Sequence, residues 1–464
     1  MNYNFKDTII ALSTAKGAGA IALMRLSGNK AFQIVSPFIF SKKLKPIQLS
    51  ASHAGKHVFA LICEHNTVID EVLINVFVAP KSYTGEDCIE ISCHGSMYIQ
   101  QKLLQIFLGA GARMAQAGEF TLRAFLNQKF DLSQAEAVSD LIASDSEASH
   151  RMAMQQMRGG YGLKIKLLRD ELINFASLIE LELDFAEEDV EFANRSQLIE
   201  LLDKLILLIQ KLLKSFDVGN VIKNGVPVVI IGKPNSGKST LLNALLEEER
   251  AIVSEIPGTT RDTIEDELNI NGLLFRFIDT AGLRNTNDQI EQIGINRSFE
   301  SIKKAAAVIY LYDVNQLSID ELSNELNQLH EHTQHAKLIV VANKIDRLNS
   351  EKIAYQKVAE NDIVFISAKN QLHIENLKDK LFQLFEFNQL EMADTVVTNA
   401  RHAHALKLAF ENLNQVRNGI DLNLSGELLA QSIREAIQEL GQITGEVSSN
   451  DLLANIFSKF CIGK

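Results

Sequence analysis

The segment Gly232-Lys233-Pro234-Asn235-Ser236-Gly237-Lys238-Ser239 fits the phosphate-binding pattern G-x-x-x-x-G-K-[ST] and directly follows an apolar run from Val226 to Ile231. A strand that leads into a glycine-rich turn and then into a helix, here Thr240 to Leu246, directs backbone N–H groups and the helix dipole at a polyphosphate. Lys238 is expected to reach the β- and γ-phosphates, and the Ser239 hydroxyl to bind Mg²⁺. The segment therefore predicts a Ras-like P-loop domain.

Two segments downstream predict the magnesium side of this site. Asp279-Thr280-Ala281-Gly282 ends an apolar run, so that the aspartate can hold the magnesium shell and the glycine can donate its N–H to the γ-phosphate. In the preceding loop, Ser254-Glu255-Ile256-Pro257-Gly258-Thr259-Thr260, the last threonine is expected to bind Mg²⁺. Leu283 cannot orient a water as the Gln of small signalling GTPases does. Asp288 and Glu291 are the carboxylates that could orient it instead.

Two segments farther along the chain predict the base side. In Asn343-Lys344-Ile345-Asp346, the last residue, Asp346, can accept hydrogen bonds from N1–H and N2–H₂ of guanine, a pair of donors that adenine does not offer. Ser367-Ala368-Lys369 follows another apolar run and places a backbone N–H near guanine O6. Four motifs in this order indicate a GTP-binding domain over residues 220–384. The expected GTP contacts are Asn235, Ser236, Gly237, Lys238, Ser239, Thr240, Ser254, Glu255, Ile256, Pro257, Gly258, Thr259, Thr260, Asp279, Thr280, Ala281, Gly282, Asn343, Lys344, Asp346, Ser367, Ala368 and Lys369.

The composition argues against several other classes of protein. The chain has 464 residues, 46% of them hydrophobic, which suffices for two to four domains. It has no run of about 18 apolar residues and no secretory signal, so we expect no membrane span and a cytoplasmic location. The spacings of the four cysteines fit neither a zinc site nor a disulfide framework. The formal charge of −12 argues against broad, unaided capture of nucleic acid.

The pattern outside the GTP-binding domain changes along the chain. Residues 1–120 contain short β-branched runs between glycine-bearing turns, which predicts an α+β domain. Residues 121–219 are expected to be helical, because apolar side chains recur at i, i+3, i+4 and i+7 from Leu198 to Leu213. Residues 385–464 show helical spacing again. Helices on both sides predict that the GTPase domain is inserted into one discontinuous helical domain, since the two ends of a domain often lie close together. The expected fold is therefore multidomain α/β.

Several further segments resemble the MnmE (TrmE) family of tRNA-modification GTPases over the full length of the chain. They are Arg25-Leu26-Ser27-Gly28, Ser82-Tyr83-Thr84-Gly85-Glu86-Asp87, Gly118-Glu119-Phe120-Thr121-Leu122-Arg123 and the final Cys461-Ile462-Gly463-Lys464. The resemblance implies an N-terminal folate-binding domain that also forms a homodimer, the discontinuous helical domain and the inserted GTPase domain. The folate role does not emerge from the composition.

The resemblance also implies ligand-binding residues at matched positions. Arg25, Glu90, Lys129 and Lys464 are expected to contact a tetrahydrofolate derivative, in its 5-formyl or 5,10-methylene form. Their chemistry suits it, because a glutamate can pair with the N–H edge of a pterin and cations can pair with carboxylates. Cys461 would be a free thiol near this site. A cysteine four residues from the end also suggests prenylation, but the last two residues fit that motif poorly.

For hydrolysis, the resemblance favours Glu291 as the residue that orients the attacking water. A K⁺ ion beside the bridge between the β- and γ-phosphates is the expected source of positive charge, doing the work of an arginine finger. Its expected ligands are the side chain of Asn235 and the carbonyl groups of Ser254, Ile256 and Thr259. Arg261 and Arg284 are the competing sources of positive charge.

The expected function is GTP hydrolysis coupled to modification of the wobble uridine (U34) of certain tRNAs. An aminomethyl-type group (carboxymethylaminomethyl or aminomethyl) would be added at C5 with an MnmG (GidA)-type flavoprotein that brings FAD and NADH. A folate on this chain would supply the one-carbon unit. The two proteins would form a heterotetramer or larger complex, and the acidic charge of this chain fits a division of labour in which the partner grips much of the tRNA. The alternatives are a regulatory or ribosome-assembly GTPase without modification chemistry and a folate-dependent methyltransferase with a vestigial GTPase domain.

Overall fold

The fold is taken from a computed structural model of the chain. It describes residues 6–184, 195–246, 266–278, 301–316, 319–333, 336–348, 357–358, 361–385, 396–422 and 424–463. By its internal contacts the chain divides into two compact units. The first comprises Met1–Ile142, Gln156–Ile206 and Ala405–Lys464, and the second comprises Ala143–Gln155 and Leu207–His404. Within the described residues, no helix is both long and apolar enough to cross a membrane.

A seven-stranded sheet forms the amino-terminal part of the first unit. Its strands are β1 (Ile9–Leu12), β2 (Ile21–Ser27), β3 (Ile39–Phe40), β4 (His57–Glu64), β5 (Thr67–Phe77), β6 (Cys88–His94) and β7 (Arg113–Met114). Their order is β3-β4-β5-β6-β2-β1-β7, and the neighbours are antiparallel except for the parallel pair β1–β7. The short strands predicted within residues 1–120 are confirmed.

Side-chain alternation decides which face of this sheet is the core. Along β2, Ala22, Met24 and Leu26 are buried against the helices on one face, so that Arg25 projects from the opposite face. Arg25 lies directly across from Glu90 of β6 in the antiparallel register. The register therefore brings together two side chains that are 65 positions apart in the sequence.

The helices up to residue 224 lie between these strands or after them in the chain. They are α1 (Ala31–Val35), α2 (Met97–Gly109), α3 (Glu119–Leu126), α4 (Leu132–Ile142), α5 (Glu147–Met157), α6 (Gly160–Asp184) and α7 (Arg195–Asn224). The helical spacing predicted from Leu198 to Leu213 is confirmed in α7, where Leu198, Leu205 and Ile209 are fully buried.

The sheet of the second unit also has seven strands, and it is mostly parallel. Its elements are β8 (Val226–Ile231), α8 (Lys238–Leu246), β9 (Asp266–Ile270), β10 (Leu273–Phe277), β11 (Ala307–Asp313), α9 (Ile319–His332), β12 (Lys337–Asn343), β13 (Lys357–Val358), β14 (Asn361–Phe365) and α10 (Ile374–Gln383). The order is β13-β14-β12-β11-β8-β10-β9, with the two edge strands antiparallel to their neighbours. Ligands of such sheets bind beyond the carboxyl ends of the strands, where the strand order reverses, and here that point is the end of β8.

Three helices complete the described chain: α11 (Ala400–Asp421), α12 (Gly426–Thr444) and α13 (Asn450–Ser458). The helical spacing predicted for residues 385–464 is confirmed from Ala400 onward. Helix α12 packs against α6, and the Arg169 guanidinium of α6 donates to the Ile437 carbonyl at 3.1 Å and pairs with Glu446. These contacts join segments that are far apart in the sequence into one helical layer of the first unit.

Candidate functional site

Two glycines of the P-loop have no substitute at their positions. Gly232 has a φ of 152°, and a Cβ added there would lie 2.0 Å from the carbonyl oxygen of Leu311. Gly237 has a φ of 100°, and its Cβ would lie 2.4 Å from Nδ2 of Asn343. Both positions therefore require glycine, for the backbone angle and for the close approach of a neighbouring strand. The loop therefore has the tight backbone that a phosphate-binding turn requires.

The helix that follows the P-loop begins at Lys238, so its first turn faces the loop. Lys238 Nζ donates to the carbonyl oxygens of Gly232 at 2.8 Å and Lys233 at 3.1 Å. These contacts fold the ammonium group over the loop, where a polyphosphate would meet it. Ser239 and Thr240 occupy the first turn of α8, which is where unpaired N–H groups and the helix dipole favour anions.

Asn343 joins the P-loop to the base side of the site. This side chain is 2% exposed, and its Nδ2 donates to the Ser236 carbonyl at 2.8 Å. Its Oδ1 accepts hydrogen bonds from the backbone N–H groups of Lys344 at 2.8 Å and Ala368 at 3.0 Å. One buried amide therefore fixes three loops that follow β8, β12 and β14. The sheet brings together the P-loop and both base-side motifs, as their positions at strand ends predict.

The base-side loops place a carboxylate beside a hydroxyl. Asp346 lies in a short 3₁₀ turn after β12 and is exposed, and its Oδ1 accepts a hydrogen bond from Ser367 Oγ at 2.6 Å. Ala368 is buried, whereas Lys369 is exposed. The serine thus orients the carboxylate, which can accept hydrogen bonds from a base.

The other predicted nucleotide contacts lie outside the described residues. These are Ser254, Glu255, Ile256, Pro257, Gly258, Thr259, Thr260, Asp279, Thr280, Ala281, Gly282 and Glu291. They include most of the predicted magnesium and potassium ligands. Lys464, the last of the predicted folate contacts, also lies outside.

A second cluster of predicted site residues surrounds Arg25 in the first unit. Its Nε and NH2 approach the same carboxylate oxygen of Glu90, at 2.9 Å and 2.8 Å. The guanidinium carbon lies 5.1 Å from the ring centre of Tyr83 and 5.7 Å from that of Phe120. Two aromatic rings and an ion pair therefore hold this cation in a partly buried site.

Lys129 lies beside the loop that carries Tyr83. Its Nζ donates to the Pro80 carbonyl at 3.1 Å, and nearby Asn127 Nδ2 donates to the Thr84 carbonyl at 2.7 Å. The Tyr83 ring also packs edge to face against Phe130, with the ring centres 5.8 Å apart. The structure therefore brings the predicted residues Arg25, Glu90 and Lys129 to one loop, residues 80–87, although these three residues make no ion pair with one another beyond Arg25–Glu90 in the described chain.

The segment after α13 reaches the same domain. Ile462 forms an antiparallel bridge with Ala117, and the Gly463 carbonyl accepts a hydrogen bond from Ser13 Oγ at 3.2 Å. Gly463 has a φ of 101°, and a Cβ there would lie 2.3 Å from the Leu12 carbonyl. This close packing seats the segment at the end of β1, the strand next to that of Arg25.

The four cysteines differ in their surroundings. Burial raises the pKa of Cys88 to about 12 and that of Cys93 to about 11, and it also raises the pKa of Cys63. Cys461 is exposed. Among the cysteines, Cys461 is therefore the one that a solute can reach. The described residues contain no group of three metal-ligating side chains.

A buried ion-pair network beside Arg25 was not assigned any role from the sequence. Arg123 is 1% exposed, and its NH2 donates to Asp7 Oδ1 at 2.6 Å and Glu119 Oε1 at 3.0 Å. Its NH1 lies 3.2 Å from Glu86, which accepts a hydrogen bond from Ser27. The sequence did contain a signal for one pair of this network. Glu119 and Arg123 are opposite charges four residues apart on a mostly apolar helix, and such residues are expected to pair.

The second unit has the features of one class of protein. A P-loop ends β8, Asn343 ties it to the base-side loops, and Asp346 faces that side with a fixed carboxylate, so the chain is a P-loop nucleotide-binding protein. Residues 132–461 match the family model of the MnmE helical domain, and residues 8–129 match that of the GTP-binding protein TrmE N-terminus. The chain belongs to the MnmE family of tRNA modification GTPases.

Curated relatives carry the same family name. The tRNA modification GTPase MnmE of Christiangramia forsetii is 53% identical over 472 residues, and the alignment covers 99% of each chain. That of Cytophaga hutchinsonii is 52% identical, covering 99% of this chain and 98% of the relative. That of Bacteroides fragilis is 48% identical over 99% of this chain. The resemblance inferred from the sequence motifs is thereby confirmed.

Proposed function

We propose that this chain hydrolyses GTP and couples hydrolysis to modification of the wobble uridine (U34) of certain tRNAs. The observation that carries the nucleotide part is the Asn343 side chain, which joins the P-loop at Ser236 to the base-side loop at Ala368. A ligand that contacts both loops must have a polyphosphate at one end and a base at the other. The Asp346 carboxylate suits guanine rather than adenine, because it can accept hydrogen bonds from N1–H and N2–H₂.

The proposed Mg²⁺ and K⁺ sites each include one residue of the P-loop. Ser239 and Thr260 would bind Mg²⁺, and Asn235, Ser254, Ile256 and Thr259 would bind K⁺. The two of these residues that the structure describes fit these ions, because hydroxyl and amide oxygens are hard donors. The ions would supply positive charge at the phosphates. Glu291 would orient the attacking water.

The proposed folate site is the cluster around Arg25. The donor set fits a tetrahydrofolate derivative, because Glu90 can accept from a pterin edge and the cations Arg25 and Lys129 can pair with carboxylates. Lys464 would complete the set. A 5-formyl or 5,10-methylene folate bound there would supply a one-carbon unit. Ser13 and Ala117 hold the segment that carries Cys461 in the same unit.

Assembly and domain organisation are part of the proposal. Residues 1–120 would bind folate and form the homodimer, residues 121–219 and 385–464 would form one helical domain, and residues 220–384 would be the GTPase domain inserted into it. An MnmG (GidA)-type flavoprotein would join in a heterotetramer or larger complex and bring FAD and NADH. Modification would place a carboxymethylaminomethyl or aminomethyl group at C5 of U34.

The test is mass spectrometry of tRNA from cells that lack this protein. We expect the C5 group of U34 to be missing and to return when the gene is restored. Restoration with a Lys238→Ala variant should fail, because that lysine is the predicted phosphate contact. A regulatory or ribosome-assembly GTPase would instead leave U34 modified in the deleted strain, and that result would overturn the proposal.

A further inference from the structure

The end of strand β11 carries a buried carboxylate that none of the four nucleotide motifs includes. Asp313 is the last residue of β11 and pairs with Asn343 in the parallel ladder. Its side chain is 6% exposed and accepts hydrogen bonds from Lys344 Nζ at 2.9 Å, from the Asn315 N–H at 3.0 Å and from Asn315 Nδ2 at 3.1 Å. Burial by itself would raise the pKa of Asp313, but the hydrogen bonds from Lys344 and Asn315 outweigh it and hold the pKa below its usual value.

Lys344 is held at both its backbone and its side chain. Its backbone lies in the left-handed region, with a φ of 66° and a ψ of 38°. Its carbonyl accepts a hydrogen bond from Asn315 Nδ2 at 3.2 Å, so Asn315 contacts both Asp313 and Lys344. Its Nζ donates to Asp313 and also to the carbonyl oxygen of Asn235 in the P-loop, at 2.6 Å. One ammonium group therefore bridges the base-side loop and the phosphate-binding loop.

We propose that Asp313 and Asn315 form a clamp that positions Lys344, so that its ammonium group ties the P-loop at Asn235 to the base side of the nucleotide site. The proposal rests on the GTPase function proposed above and adds two positioning residues to it. A free lysine side chain samples many rotamers, and fixing it costs entropy. Because the clamp fixes the side chain before the nucleotide arrives, this entropy is lost when the chain folds and does not weaken nucleotide binding.

The charge of Asp313 is essential to this role. Lys344 is 21% exposed on its side chain, so water competes for its ammonium group. The carboxylate adds the Coulomb attraction of an ion pair to the hydrogen bond that holds the ammonium group. An asparagine at position 313 keeps the shape and one acceptor oxygen but removes the charge, and the ammonium group would then leave the P-loop carbonyl more often. The bound nucleotide should consequently dissociate faster.

The experiment measures the binding and release of a fluorescent GDP analogue by the full-length chain and its Asp313→Asn variant. We expect the Kd to rise about tenfold, equivalent to about 1.4 kcal/mol, mainly through faster dissociation. The kcat at saturating GTP should stay within about twofold, because the change removes binding that is common to ground and transition states. Asp379→Asn, at an exposed position on α10, is the matched control and should leave the Kd unchanged.

A double-mutant cycle with Lys344→Met separates a clamp from a general structural role. If Asp313 acts through Lys344, the double variant should bind GDP no more weakly than Lys344→Met alone. Additive losses would overturn the proposal. Asn315→Ala removes the side-chain hydrogen bonds from Asn315 to Asp313 and Lys344. Because position 315 is exposed, this variant provides a second test if Asp313→Asn does not fold. Wild-type affinity for GDP in Asn315→Ala would then count against the clamp. Failure of the unmodified chain to bind guanine nucleotide would overturn the proposed function instead.

Discussion

At the scale of single residues, the dependence of GTP hydrolysis on the monovalent cation should require Asn235. Its carbonyl oxygen already accepts a hydrogen bond from Lys344, so the proposed K⁺ ligand is its side-chain amide. We expect turnover to fall on the order of 10³-fold when Na⁺ replaces K⁺, since the cation does the work of an arginine finger. Asn235→Ala should turn over at the Na⁺ rate in both salts. Phosphate release at matched ionic strength measures this.

Equal wild-type rates in the two salts would remove the cation from the mechanism. An inactive Arg261→Ala variant with a normal K⁺ response would assign the positive charge to the arginine.

Glu291 is a second single-residue prediction, and it rests on the sequence, since the residue lies outside the described part of the chain. Glu291→Ala should bind GTP normally and hydrolyse it about 10²–10⁴-fold more slowly, the usual contribution of a positioned acid–base group. Asp288→Ala is the matched control, because Asp288 is the competing carboxylate. Single-turnover hydrolysis and nucleotide affinity separate the two steps. Full kcat in the Glu291 variant would refute the assignment.

At the scale of elements, the network around Arg123 should decide how firmly α3 is attached to β1 and the loop before β6. Arg123→Leu leaves buried carboxylates short of a partner, and breaking a buried ion pair costs about 3–5 kcal/mol. The Arg434–Glu180 pair is exposed, so Arg434→Leu should cost less than about 1 kcal/mol. Denaturant unfolding at pH 7 measures both. A similar loss of unfolding free energy in the two variants would show that the buried network stabilises the fold no more than an exposed ion pair does.

The same network predicts a pH dependence. Burial would raise the pKa of Glu119, but hydrogen bonds from Arg113, the Gln116 backbone and Arg123 outweigh it and hold the pKa below its usual value. The pKa of Asp7 is lowered in the same way by Arg113 and Arg123. This stabilisation is therefore present above the unfolded pKa values of about 4 and lost as the pH falls through the lower folded values. The free energy of unfolding, measured from pH 6 to pH 3, should fall more steeply in the wild type than in Arg123→Leu.

The elements that the sequence predicted are those with a local signal. The P-loop strand and helix, the helical spacing of α7 and the strand ends of the base-side motifs all depend on residues close together in the chain. The contacts that hold the sites depend on pairing between distant elements. The partnership of Arg25 with Glu90 follows from the register of β2 with β6, and the contact of Asp313 with Lys344 follows from that of β11 with β12. Neither register is encoded in a local pattern.

At the scale of the whole molecule, the nucleotide motifs and the carboxy-terminal segment belong to different compact units. Cys461→Ser should therefore abolish tRNA modification and leave GTP hydrolysis nearly intact, because the thiol is not part of the nucleotide site. Lys459→Ala, at an exposed position just before it, is the control and should retain both activities. Mass spectrometry of tRNA measures the modification, and phosphate release measures GTP hydrolysis. Normal modification by the Cys461 variant would limit that segment to binding or packing, and loss of hydrolysis would show that the sites are not separable.

The contact of α6 with α12 also sets an order of events during synthesis of the chain. Arg169 and the carbonyl of Ile437 are 268 residues apart, and at about 5–20 residues per second the ribosome needs on the order of 10–50 s to make the stretch between them. The sheet from β8 to β14 emerges within that interval and can fold on its own strands. Helix α6, whose Ile165 and Leu172 are fully buried in the folded chain, meanwhile has no α12 to pack against. The first unit therefore cannot complete this packing until α12 has been synthesised.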